Sequence, residues 1–147
     1  MTVAEKQRQL VERLSIIEDP HERLAALMSR AKKWPAPAAE QLTDDHRVHG
    51  CQSRVWLVCS IEEGVCRFRM ECDAPMVKGL VALMCELYDG CAPADVATAE
   101  PSVFEDLGFT RMISPTRLNG LAAVRTRIRE FAGQLAGSQT PASFAAT

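Results

Sequence analysis

The chain has 147 residues, 24% of them charged and 47% hydrophobic, and carries a formal net charge of -2 at pH 7. That length suits one domain of ordinary size and leaves no room for a second catalytic one. The balance of charge lacks the basic excess that draws a protein to nucleic acid, and the composition is that of a soluble globular chain.

No window approaches the ~18 uninterrupted apolar residues of a membrane span, and the opening Met1-Thr2-Val3-Ala4-Glu5-Lys6 has no apolar signal core. A cytoplasmic protein with no membrane partner is expected. Six cysteines in such a reducing compartment read as free thiols, a metal site or redox chemistry rather than as disulfides.

Thr2 and Glu5 have the form of a capping box, and Val3, Leu10, Leu14 and Ile17 are spaced for a first helix ending near Glu18. Asp19-Pro20-His21-Glu22 combines an N-cap, a proline at the first helical position and an acid in the first turn. Leu24, Leu27, Met28 and Ala31 then continue a second helix. Trp34-Pro35-Ala36-Pro37 stops it, because proline removes an amide donor and pushes its predecessor out of the α region. A long loop runs on to Val48.

From Arg54 to Ile61, and again from Cys66 to Cys72, apolar and polar residues alternate around Glu63-Gly64, which predicts a hairpin. A two-residue turn there sets opposite Ile61 and Cys66, Cys59 and Phe68, and Leu57 and Met70. Every apolar residue of that set then shares one face, which fixes the register. Cys59, Cys66 and Cys72 are accordingly expected in the core.

Asp73 is placed to cap a third helix through Tyr88, closed by Asp89-Gly90 as a left-handed stop. Gly79 inside it predicts close approach of another backbone. Pro101-Ser102-Val103-Phe104-Glu105 offers a capping box for a short helix ended by Gly108. Ser114-Pro115 opens a last helix whose Leu118, Leu121, Val124, Ile128, Phe131 and Leu135 recur at steps of three and four. The expected organisation is one α+β domain over 1–136, a small antiparallel sheet covered by helices on one face, and a disordered tail over 137–147.

Cys51 stands apart from the other cysteines. It lies in Val48-His49-Gly50-Cys51-Gln52-Ser53-Arg54, a loop just ahead of the first strand, whereas Cys59, Cys66, Cys72 and Cys85 sit in apolar patterns where sulfur serves as a small hydrophobe. Cys91, beside Gly90 at a helix end, has some prospect of exposure. Gly50 gives the loop backbone freedom. His46, Arg47, His49 and Arg54 are close enough in sequence to favour a thiolate, the form that attacks sulfur.

Gly50-Cys51-Gln52-Ser53 ahead of Val55-Trp56, Asp73-Ala74-Pro75-Met76-Val77-Lys78-Gly79-Leu80, and Ser114-Pro115-Thr116-Arg117-Leu118-Asn119-Gly120-Leu121 together closely resemble the SufE family of sulfur-acceptor proteins. The resemblance runs from about Leu10 to Phe131. It implies a fold like that of NifU-type iron-sulfur cluster scaffolds without their metal ligands. It also implies a protein that accepts sulfur from a pyridoxal-phosphate cysteine desulfurase, activates that enzyme, and passes persulfide sulfur to an iron-sulfur scaffold complex for cluster assembly. On this sequence the accepting residue falls on Cys51, with Gly50, Gln52, Ser53, Asp73 and Arg117 positioning the loop or the partner. No cofactor or metal of its own is implied, since the pyridoxal phosphate belongs to the desulfurase.

Two rivals come from other classes. A cluster scaffold or metal-binding protein would hold iron through its cysteines, although no C-x-x-C and no histidine pair at ligand spacing is present. A thiol oxidoreductase would need a resolving cysteine near Cys51, and none is near it in sequence.

Overall fold

The computed structural model describes residues 1–136 in full and, over 137–146, the backbone alone; the side chains of the tail expected over 137–147 lie outside the described residues. The first helix, α1 (Val3–Ser15), is capped by Thr2, but Glu5 meets the Thr2 hydroxyl rather than its backbone N–H, so the expected capping box is only half formed. Thr2 Oγ1 accepts the Glu5 N–H at 3.2 Å and donates to Glu5 Oε1 at 3.1 Å. It buries Val3, Leu10 and Leu14. The helix stops ahead of the expected Glu18, with Ile16 at its C-cap, and the Ile17 carbonyl beyond it accepts from Arg23 Nε of the following helix. That helix, α2 (Pro20–Ala31), has Asp19 Oδ1 accepting the His21 N–H at 3.0 Å. The long loop that follows carries two short 3-10 turns, Ala39–Gln41 and Asp44–His46.

The hairpin has the expected register. In β1 (Val55–Glu62) and β2 (Val65–Cys72), Ile61 faces Cys66, Cys59 faces Phe68 and Leu57 faces Met70. Both turn residues have positive φ, Glu63 at 53° and Gly64 at 80°, as a type I′ connection requires. The apolar face is buried at Val55, Leu57, Cys66, Phe68, Met70 and Cys72, but the β1 side runs out of cover toward the turn. There Cys59 is half-buried rather than in the core, and Ile61 is exposed.

A two-stranded sheet has two open edges, and an unpaired edge is a liability. Here the outward N–H groups of β2 are all occupied by groups from outside the sheet or from its own side chains. Cys66 donates to the Cys91 carbonyl at 2.9 Å, Phe68 to Asp89 Oδ1 at 3.2 Å, Met70 to the Pro35 carbonyl at 3.1 Å and Cys72 to Glu71 Oε1 at 2.9 Å. The loop after α2 and the loop after the next helix therefore finish the sheet.

That helix, α3 (Pro75–Tyr88), is the centre of the core, buried from Val77 to Tyr88 except at Lys78 and Glu86. It packs on β2, on α1 and on α2, with Gly79 at the α2 crossing as expected. Gly90 at φ 79° ends the turn after it. A short helix that the sequence did not predict, α4 (Pro93–Thr98), follows and packs on the last helix. Six residues are too few to display helical periodicity, and the signal was the proline at its first position.

In α5 (Val103–Asp106) the expected capping box does not form. The N–H groups of Ser102 and Val103 both donate to Gln7 Oε1 of α1, and Ser102 Oγ turns to Asp106 Oδ2 at 3.0 Å. The cap is thus supplied from another helix, which no local pattern reveals. The last helix, α6 (Pro115–Ala146), opens on Ser114, whose Oγ accepts the Arg117 N–H at 3.3 Å. Leu121, Val124 and Ile128 are buried. The architecture is α+β, helices over one face of a small antiparallel sheet.

Candidate functional site

The loop that carries Cys51 is closed at both feet. On the entering side the Val48 N–H donates to the Val55 carbonyl at 2.8 Å, and Arg47 pairs with Trp56 as an isolated bridge. On the leaving side Arg54 N–H donates to Asp73 Oδ1 at 2.9 Å while the Arg54 carbonyl accepts the Asp73 N–H at 3.1 Å. Both feet are thus extensions of the hairpin ladder. From α6, Arg127 adds hydrogen bonds to the Asp45 carbonyl at 2.8 Å and the Arg47 carbonyl at 3.4 Å. The excursion between the feet is His49 to Ser53.

Asp73 is therefore not the cap of α3 that its position suggested. Ala74 holds the cap position without a side-chain bond, and the helix starts on Pro75, whose missing N–H needs no partner there. The Asp73 carboxylate is spent instead on Arg54, at the foot of the loop that carries the thiol.

Within the excursion Gly50 sits at φ 98°. Its φ turns the chain so that Cys51 faces α6, and the sulfur lies 3.2 Å from the Gly120 carbonyl oxygen. Cys51 is half-buried and packs at the edge of the core. Gln52 beside it is exposed, and Ser53 is half-buried. Arg117 is exposed on the first turn of α6, one turn before Gly120, with its guanidinium 3.4 Å from Met76 Sδ. The three motifs singled out in the sequence, around Cys51, Asp73 and Arg117, thus meet at one end of the molecule, joined by the Arg54–Asp73 pair and the Cys51–Gly120 contact.

The expected electrostatics are corrected. Burial pushes the Cys51 thiol up rather than down, so the nearby cations do not prevail. Of those groups His49 is turned toward an acid, its Nε2 4.0 Å from Asp44 Oδ2. The Arg127 guanidinium is held by backbone carbonyls at the loop foot and bears on Cys59. The other thiols are raised too, mainly by desolvation, Cys66 to about 11 and Cys59 to about 12. Cys91, which had some prospect of exposure, is buried at the end of α3 with its Sγ 3.8 Å from the Leu87 carbonyl. All six cysteines are free, and no cluster of three or more His, Cys, Asp or Glu suited to a metal ion occurs among the described residues. Nor, among them, is any helix long and apolar enough to cross a membrane.

Two residues of the site were missed in the sequence, Gly120 and Arg127. Gly120 had a usable signal: a glycine within an apolar-periodic helix, the same one that marked Gly79. Arg127 had none, because an arginine that reaches loop carbonyls is written like any arginine on a helix surface.

Fold and site together define a small α+β protein that presents one loop thiol beside a helix N-terminal turn. The family model for SufE, described as an Fe-S metabolism associated domain, matches residues 8–132, and the chain belongs to the SufE family. It is 31% identical over 127 residues to an uncharacterized SufE-like protein of Rhizobium etli, covering 83% of this chain and 86% of that one. A second uncharacterized SufE-like protein, from Synechocystis sp., is 32% identical over 111 residues, covering 76% of this chain and 70% of that one. Among solved structures, a hypothetical protein from Thermus thermophilus superposes with a TM-score of 0.73 at 27% identity, covering 88% of this chain and 94% of that one. An association with Fe-S metabolism follows from the family.

Proposed function

We propose that this chain is a persulfide carrier that accepts sulfur from a cysteine desulfurase on Cys51, activates that enzyme by draining its covalent intermediate, and delivers the sulfur to an iron-sulfur scaffold in the cytoplasm. The Cys51 thiolate attacks the terminal sulfur of the desulfurase's cysteine persulfide. A new S–S bond forms on Cys51, the S–S bond in the enzyme breaks, and the enzyme's thiolate leaves. A second thiolate, on the downstream acceptor, repeats the exchange and returns Cys51 to a thiolate.

The observation that carries this reading is the placement of Cys51 on a short excursion with both feet pinned. A thiol so mounted is able to move relative to its own protein while the fold stays fixed, which delivery into another protein's active site requires. Cys66, Cys72, Cys85 and Cys91 have no such freedom, being buried in strands and around α3. Asp73 and Arg117 would hold the loop and meet the partner, and Gln52 would be the loop side chain most open to it.

The test is intact-mass analysis after incubation with a cysteine desulfurase and cysteine, followed by peptide mapping. One added sulfur on the Cys51 peptide and its loss in Cys51→Ser are expected, together with faster desulfurase turnover. Sulfur mapped to another cysteine, or full loading of Cys51→Ser, overturns the assignment.

A further inference from the structure

Gly120 is buried in α6, in a position where glycine is a poor helix former. A Cβ added there would lie 2.8 Å from Cys51 Sγ, and 3.7 Å from both Cα and Cβ of Cys51. Those nearest atoms all belong to one residue, so the volume a side chain would fill is the volume the Cys51 thiol occupies. From the other side, a Cβ on Gly50 would lie 3.2 Å from Ala123 Cβ. Two glycines, one on the loop and one on the helix, therefore allow the loop tip to lie against α6.

The polar partner in this seat is the Gly120 carbonyl, 3.2 Å from the sulfur. A carbonyl only accepts hydrogen bonds, so it is matched to S–H and faces a thiolate with its own lone pair. We propose that Gly120, by lacking a side chain and offering its carbonyl, is a positioning residue that seats Cys51 as the neutral thiol, and that the sulfur becomes a nucleophile on leaving this seat. The inference rests on the sulfur-carrier reading for what the released thiolate then attacks, but the seat itself is independent of any partner.

Desolvation acts on the thiol in the same direction. The charged and titratable groups on the elements that meet at the loop are Arg47, His49 and Arg54 on the loop itself, Cys72 ending β2 with Asp73 after it, and Arg117 and Arg127 on α6. Cys72 is near enough for the two thiols to oppose each other's ionisation. None of these groups is changed by adding a methyl at Gly120, so a change in the titration of Cys51 in Gly120→Ala reports the seat.

The experiment is alkylation of Cys51 by iodoacetamide, followed by peptide mapping as a function of pH, in the wild-type chain, Gly120→Ala and Gly133→Ala. Gly133 lies in the same helix with nothing within 4 Å of an added Cβ, so it controls for helix propensity. Gly120→Ala is expected to move the alkylation midpoint down toward that of an ordinary thiol, with about threefold faster neutral-pH reaction for each unit of that shift, because the gain in thiolate is partly offset by its lower nucleophilicity, while Gly133→Ala matches wild type. A midpoint in Gly120→Ala equal to or above wild type overturns the proposal.

A second measurement needs no helix variant: the infrared S–H stretch of Cys51, taken as the difference between wild type and Cys51→Ala. A band lowered by donation to a carbonyl is expected at neutral pH, and a band at the frequency of an unbonded thiol overturns the proposal even if Gly120→Ala does not fold. Neither readout uses a desulfurase, so each stands whether or not the carrier reading survives the sulfur-loading test.

Discussion

A Cβ on Gly79 would stand 3.1 Å from the backbone nitrogen of Met28 and 3.3 Å from the Leu27 carbonyl carbon, so α2 and α3 cross backbone to backbone at this point. The neighbour is main chain, which cannot swing aside as a side-chain tip does. Gly79→Ala gains up to ~1 kcal/mol of helix propensity, but must push the packed helices apart, at a cost of about 1–3 kcal/mol. Net destabilisation in urea unfolding is expected for Gly79→Ala, against stabilisation for Gly133→Ala, where the added methyl meets nothing within 4 Å. Equal and favourable effects of the two would show that the crossing is looser than the geometry requires.

Asp73 is exposed, and its hydrogen bond to the Arg54 N–H is open to water. Its loss in Asp73→Ala is expected to cost only about 0.5–1 kcal/mol of global stability, yet to act strongly on the local opening of the loop foot. Amide exchange at Arg54 should accelerate while exchange in α3 follows only the small global change. Unchanged protection at Arg54 would mean that the Asp73 main-chain pairing alone closes the loop.

The hairpin was legible because period-two alternation and a Glu-Gly turn over-determine one register, and the same holds for α6 with its Ser-Pro start and periodic stripe. Cys51 was legible through its contrast with cysteines in apolar patterns. What sequence could not carry was the direction of long-range bonds. Asp73 reads as a helix cap until the Arg54 N–H is seen beside it, Ser102 reads as a cap until Gln7 arrives from α1, and His49 near Cys51 reads as an activator until Asp44 is located beside it. Burial of the thiol on Gly120 reversed the expected electrostatics for the same reason: desolvation depends on which surface packs against the loop, and that surface is 69 residues away along the chain.

Arg127 fixes the other foot through the Asp45 and Arg47 carbonyls. Hydrogen bonds from a charged donor are worth about 1.5–3 kcal/mol when shielded, less where water competes as it does at Asp45. Arg127→Met, which keeps much of the aliphatic stem, is expected to lower stability by about 1 kcal/mol and to open the segment from Thr43 to Val48 to limited proteolysis. It also removes the cation that partly offsets desolvation at Cys59, so alkylation of Cys59 at alkaline pH should slow relative to wild type at matched stability. Faster cleavage without any change at Cys59 would confine the role of Arg127 to the loop.

The raised thiols make stability depend on pH with a definite sign. In the unfolded chain a cysteine ionises near its reference value of 9.0, whereas in the folded chain Cys66 holds its proton to about 11 and Cys59 to about 12. Above pH 9 the unfolded state therefore binds fewer protons than the native state, and stability falls as pH rises. Below about pH 8 these groups are protonated in both states and their contribution is fully present. Each thiol adds a slope of at most about 1.4 kcal/mol per pH unit, ending near pH 11 for Cys66 and near pH 12 for Cys59. Replacing Cys66 by alanine should lower stability by a constant amount at neutral pH, through loss of a buried sulfur from the core, while flattening the decline between pH 9 and pH 11. The check is unfolding free energy in urea at a series of pH values, with the slopes of wild type and Cys66→Ala compared over that interval. Parallel slopes would mean that Cys66 ionises as readily in the folded chain as in the unfolded one, and that water reaches the sulfur despite its burial beneath the sheet.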